Sequence, residues 1–216
     1  MNINDYRLFL EFVSNKQQIG RTFTTSQFNL LADRAQKQKF EQDYSVFIAT
    51  SSITEYLSTF LKTTTLPVNG QGKSSYPSDY AHLSSLNFYY VKESGQGKMV
   101  PIKEVKNADW SEIGASTLLK PTKRYPKFSF YANEISFLPR DIGLVSMDYF
   151  KEPSSPVWGF TIVNSREVYD PTTSVQFESP DFSMNDIMAL MLSFVGINIQ
   201  VPMLVQYAEQ FKANNK

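Results

Sequence analysis

The chain of 216 residues contains no cysteine and a single histidine, His82. Disulfide frameworks, zinc ribbons and thiol catalysis are therefore excluded. A transition-metal site would have to be assembled from carboxylates. The absence of cysteine fits a protein made in a reducing cytosol. An excess of charge of one sign is missing as well. Lys plus Arg is 21 and Asp plus Glu is 21, so the chain lacks the positive surplus of a general nucleic-acid coat. Near-neutral proteins tend to associate. The longest apolar run, "IMALMLSFVGINI" from Ile187 to Ile199, is too short to span a bilayer and is interrupted by Ser193, Gly196 and Asn198. The N-terminal "MNINDYRLFLEFVSNK" has no basic leader ahead of an apolar core. No secretory signal and no membrane association are expected, and the chain reads as soluble.

What is present is aromatic. Phe numbers 17 and Tyr 12, a composition suited to a packed β-containing body or to large contact surfaces. The periodicities run helix, then β, then helix. Tyr6, Phe9, Leu10 and Val13 share a helical face from Ile3 to about Lys16. Thr24 and Gln27 have capping-box spacing ahead of Phe28, Leu31 and Ala35, with Gln36, Lys37, Gln38 and Lys39 expected toward solvent or a partner. Ser52 and Glu55 open a third helix carrying Ile53, Tyr56, Leu57, Phe60 and Leu61. Short strands follow. "LNFYYVKE" and "KMVPIKEV" flank the turn "SGQG", "KFSFYANEISF" alternates about a second turn, and "GLVSMDYFKE" and "TSVQFES" continue the pattern. "NADWSEIGAS" reads as a short helix capped by Asn107. At the end, Ser183 caps a helix that Gly196 ends or bends, and Pro202 opens a last helix with Met203, Leu204, Tyr207, Ala208 and Phe211. Apolar helical stripes must be buried, and the terminal helices have the first three as partners. The expected fold is α+β: a helical bundle from residues 1–63 and 180–216, with a β-rich central insertion over 64–179.

Chemistry is sparse. "GQGK" occurs at Gly70 to Lys73 and at Gly95 to Lys98. Neither copy has the preceding glycine and following helix of a phosphate-binding loop, and both read as turns. The segment "SYPSDYAHLSSL" brings Asp79, His82, Ser84 and Ser85 close together, the residue types of a hydrolytic relay. Triads usually assemble from distant segments. Ser78 capping a helical turn, with Asp79 in its first turn and Tyr80 and Leu83 facing a core, is the preferred reading. Lys120, Lys123, Arg124 and Lys127 form a basic cluster broken by Pro121 and Pro126. It suits a solvated loop, a contact for an acidic surface, or nucleic acid with Tyr125 and Phe128 as stacking partners. No catalytic residue, metal ligand or cofactor site is expected.

Several stretches nevertheless look familiar: "TLPVNG…SYPSDYAHLSSL", "LLKPTKRYPKFSFYANEISFLPRDIGLVSMDYFKEPSSPVWG" and "MNDIMALMLSFVGINIQVPMLVQYAEQFKANN". A proline turn leads into "P-x-D-Y-h-x-L", a "P-x-h-x-h…h-x-h-x-P" hairpin follows, and a strand ends in Tyr149-Phe150-Lys151-Glu152-Pro153. With the terminal "Q-Y-A-E", these resemble head-to-tail adaptor proteins of tailed bacteriophages, in particular the neck-ring adaptors of crAss-like phages. The likeness is best from Leu66 to Phe211. It implies a non-enzymatic virion protein at the neck, made in the host cytoplasm. It also implies a homo-oligomeric ring of about twelve copies that binds the portal protein and other neck or tail ring proteins, with genomic DNA passing through without sequence specificity. Lys120, Lys123, Arg124, Lys127, Tyr207 and Phe211 are the candidate partner contacts. Only "FKANNK" remains at the end for gripping a portal. The alternatives are a nucleic-acid-binding module using the Lys120–Lys127 cluster and a small hydrolase using Asp79 and His82.

Overall fold

A computed structural model describes residues 1–14, 23–91, 95, 97–199 and 210. The elements in chain order are α1 (Ile3–Val13), α2 (Thr25–Thr50), α3 (Glu55–Ser58), β1 (Leu61–Pro67), β2 (Lys73–Ser75), β3 (Tyr80–Val91), β4 (Gly97–Pro101) and β5 (Lys103–Glu104). Then come α4 (Trp110–Ala115), β6 (Lys127–Phe130), β7 (Glu134–Leu138), β8 (Leu144–Lys151), β9 (Phe160–Val163), β10 (Arg166–Tyr169) and α5 (Met184–Ile199). With 35% helix and 31% strand in several sheets, the class is α+β. The chain forms two compact units, residues 1–59 with 153–216, and residues 60–152. Residues 153–179, expected in the insertion, lie in the first unit. The expected last helix, Pro202 to Phe211 with its candidate contacts Tyr207 and Phe211, falls outside the described residues apart from Gln210.

The first unit is helix-rich. Asn2 starts α1 through a capping box in which its side chain accepts from the Asp5 N–H and the Asp5 carboxylate accepts from the Asn2 N–H. Thr24 and Gln27 start α2 in the same manner, as their spacing predicts. Ile3, Tyr6 and Leu10 from α1, Phe28, Ala32 and Ala35 from α2, and Ile187, Leu190 and Met191 from α5 share one buried cluster with Trp158. The chain returning through 153–183 is tied to the helices by polar groups. The Trp158 N–H donates to Asn29 Oδ1 (2.8 Å), its indole Nε1 donates to Asn4 Oδ1 (3.0 Å), and the Ile3 N–H donates to Gln176 Oε1 (2.7 Å). Gln36, expected toward solvent, is fully buried. Its amide donates to Ser154 O and its carbonyl accepts from the Glu178 N–H. These bonds satisfy a polar group that the apolar stripe alone would have rejected.

The third helix is shorter than expected. Thr54, not Ser52, caps it by accepting from the Leu57 N–H, and it stops at Ser58. The β-branched run Thr63-Thr64-Thr65 draws the chain into β1 instead. "TSVQFES" contributes only an isolated bridge from Val175 to Val157. The strand pair in that region is β9 with β10, which the sequence reading missed. Asn164 and Ser165 turn it at φ 49° and 59°, the left-handed geometry that suits a tight hairpin.

The second unit holds two four-stranded sheets, ordered β1-β8-β3-β4 and β2-β7-β6-β5. Only the β5–β6 pair is parallel. The two expected hairpins are present: β3 pairs with β4, and β6 with β7 sets Phe128 opposite Phe137 and Phe130 opposite Ile135. Val145, Met147 and Tyr149 of β8 alternate into the core with Leu66, Leu86, Phe128, Ile135 and Phe137. Gly72 closes the β1–β2 turn at φ 77°, where a Cβ would stand 2.9 Å from Phe137 O. The "SYPSDYAHLSSL" segment corrects its helical reading. A turn closes from Tyr80 N–H to Pro77 O, and Tyr80 onward is strand β3. Register shifts between Tyr80 and His82 and between Leu83 and Ser85 insert extra residues into the strand. Tyr80, Leu83 and Leu86 therefore pack on one core at intervals of three, which imitates helical spacing. Asn107 does not cap α4 either. Its side chain bonds Phe130 O and the Ser129 hydroxyl, while Asp109 stands at the helix start.

Candidate functional site

Topology disperses the basic stretch. Lys123 Nζ lies 2.7 Å from Asp141 Oδ2, and this hydrogen bond holds the Asp141 carboxyl below the usual carboxylate range. Lys120 lines a depression with Trp110 and Arg140. Arg124 and Lys127 turn to another side and share a groove of about 320 Å³ with Tyr125, Lys98 and Lys103. The Arg124 guanidinium sits 5.4 Å from the Tyr125 ring centroid, and Tyr125 is 64% exposed. Phe128, expected as a second stacking ring, is buried at 3% exposure and belongs to the core. The reason is strand parity: Lys127 and Phe128 are successive residues of β6, so their side chains take opposite faces. Lys103 was invisible as a member of this site, because only the parallel β5–β6 pairing sets it opposite Lys127, and Lys98 joins it from β4, the strand that leads into β5.

Asp79 and His82 stand in a different environment. Asp79 Oδ2 accepts from Lys62 Nζ at 2.6 Å and Oδ1 accepts from the Tyr149 hydroxyl at 2.8 Å. The bond from Lys62, then that from Tyr149, holds the Asp79 carboxyl below its ordinary range. Burial, then the bond to Asp79, pushes the Tyr149 hydroxyl up to about 12. One register step inward, Asp148 accepts from Thr63 and Ser85 at 2.7 and 2.6 Å. Each carboxylate bridges strands of one sheet. His82 lies opposite Phe150 in that sheet. Among the described residues no group of three or more His, Asp or Glu could hold a metal ion, and no helix is long and apolar enough to cross a membrane.

Comparison with known proteins finds no family model that matches the chain and no curated protein that matches it.

Another surface feature of the described residues is apolar. On α1, Leu8, Phe9 and Phe12 are exposed, Phe12 at 80%. Leu8 and Phe12 lie on the helix side opposite Ile3, Tyr6 and Leu10, which are buried, and Phe9 stands between the two sides. Phe9, expected in the core, instead lines a small apolar cavity of about 140 Å³ with Met188 and Leu192 of α5. Leu30 and Ile48 of α2 are also exposed, at 68% and 65%.

Proposed function

We propose that the chain is a structural adaptor that assembles into a ring at the head–tail junction of a bacteriophage particle. In this reading one face of the ring meets the portal protein, the other meets neck or tail rings, and DNA passes through the middle. The helices drawn from both chain ends form a bundle, and the inserted β-rich unit supplies further contact surface. The observation that carries the reading is α1, which is apolar on two faces. One face is buried within its own unit and the other, with Leu8 and Phe12, is exposed. A helix apolar on both sides is one that packs against a second body. A neutral formal charge removes the self-repulsion that would oppose such packing. The motif resemblance supports the same reading.

The test is mass photometry of the full chain, alone and with purified portal protein, followed by electron microscopy of any ring. Closed rings are expected, formed alone or on the portal, and Phe12→Asp should abolish them while far-ultraviolet circular dichroism stays unchanged. A chain that remains monomeric with saturating portal would defeat the proposal.

A further inference from the structure

We infer that the groove between β4, β5 and the 124–127 segment binds the phosphate backbone of a nucleic acid. Its cations are Lys98, Lys103, Arg124 and Lys127, and Tyr125 stands beside them. They come from separate stretches of the chain, and all lie within the 60–152 unit.

Two features point to a polyanion from outside the chain. First, the β5–β6 register sets Lys103 directly opposite Lys127. Like charges facing each other across a strand pair are destabilising, and an anion held between them would offset that repulsion. Second, none of the four cations makes an ion pair with a described residue. Among the described acids of this unit, Asp141 pairs with Lys123, Glu134 with Lys73 and Asp79 with Lys62. Glu104 follows Lys103 on β5 and lies opposite the buried Phe128, off the groove lining. The unit as a whole holds twelve Lys and Arg against nine Asp and Glu, although the chain is neutral.

A nucleic acid is favoured over an acidic peptide by Tyr125. Its ring is open to solvent and carries the Arg124 guanidinium at 5.4 Å, so a flat face and a fork of donors are presented together. A base or sugar stacks on such a ring while the guanidinium and ammonium groups take phosphates. A carboxylate side chain would leave the ring unused. Contact through the backbone reads no sequence. Ring assembly needs no such contact, so the inference can fail or survive separately from the adaptor reading.

The test is fluorescence anisotropy of the full chain with a labelled single strand of roughly 20 nucleotides, its duplex and polyglutamate. If four phosphates are neutralised, log K falls with log salt at a slope of about −2.8 for the single strand and about −3.6 for the duplex. Raising salt from about 50 to about 200 mM then weakens binding about 50-fold and about 150-fold respectively, and the form held more tightly at equal salt is the one the groove fits. Replacing Lys98, Lys103, Arg124 and Lys127 together by Gln should flatten the slope toward zero. The pair Lys103→Gln with Lys127→Gln removes a like-charge contact, should fold at least as well as the parent, and should roughly halve the slope. Lys123→Gln, whose parent is already paired with Asp141, should change affinity by less than about twofold. Absence of salt-dependent binding, an unchanged slope in these variants, or polyglutamate binding as tightly as DNA would overturn the inference. DNA binding lost with rings still forming removes the groove and keeps the adaptor; DNA binding retained by a chain that never forms rings does the reverse.

Discussion

The two units solve the same problem with opposite resources. The helix-rich unit is built from both ends of the chain, so its core closes only when residues 153–199 return to α1 and α2. Polar side chains guide that return: Gln36, Asn29 and Asn4 bond the incoming backbone or Trp158. Arg7 lies over the Trp158 ring at 3.8 Å and donates to Phe23 O. The β-rich unit is continuous in sequence and uses neighbouring hairpins and an aromatic core. Charge divides as well: nine basic and twelve acidic residues in the first unit, twelve and nine in the second. A neutral total thus conceals a basic body and an acidic one.

The comparison is broken most directly by emptying each core. Phe28 in the first unit and Phe137 in the second are 0% and 1% exposed, and truncating either to Ala should cost about 3–5 kcal/mol. Each unit has one tryptophan, Trp158 in the first and Trp110 in the second. Single-tryptophan variants therefore report the units separately in urea. Phe28→Ala should shift the Trp158 transition and Phe137→Ala the Trp110 transition. A single transition that both substitutions move equally would show that the units unfold as one.

A smaller effect tests the polar stitching. Gln36→Leu keeps an apolar-sized side chain in place but strands the Ser154 carbonyl and the Glu178 N–H. The expected loss is about 2 kcal/mol, read by Trp158 and absent from Trp110. A neutral or stabilising outcome would mean that the buried amide is dispensable and that apolar packing alone returns the chain.

Legibility followed range. Thr24 with Gln27, and Phe128 with Phe130, Ile135 and Phe137, were readable because caps and hairpins are set by residues a few positions apart. The α+β class followed from such signals. Gln36 was misread because hydropathy says nothing of partners 118 and 142 positions away. Tyr80 and Leu83 were misread because two bulges turned strand spacing into helical spacing. Half of the basic groove was legible, Arg124 and Lys127. Lys98 and Lys103 were not; the parallel pairing that sets Lys103 opposite Lys127 leaves no local mark in a sequence.

The smallest effect concerns Asp79 and distinguishes a clamp in the β-rich unit from a reactive site. Its pair with Lys62 is partly exposed, so Asp79→Asn should cost at most about 1 kcal/mol at neutral pH. The pH dependence is more informative. A carboxyl whose folded-state pKa is lowered stabilises the fold above its unfolded value of about 4, and that stability is lost as pH falls through the lowered value. A phenol whose pKa is raised contributes fully below its unfolded value of about 10, and that contribution fades as pH climbs toward the Tyr149 value of about 12. Asn keeps an oxygen that can accept from Tyr149 but cannot titrate. The substitution should therefore flatten the acid limb of the Trp110 stability profile and leave most of the alkaline limb, because burial is the larger cause of the Tyr149 shift. Loss of both limbs would make the Asp79 charge, not burial, the governor of Tyr149. An acid limb that survives unchanged would move its origin to another carboxylate, with Asp141 beside Lys123 the next to substitute.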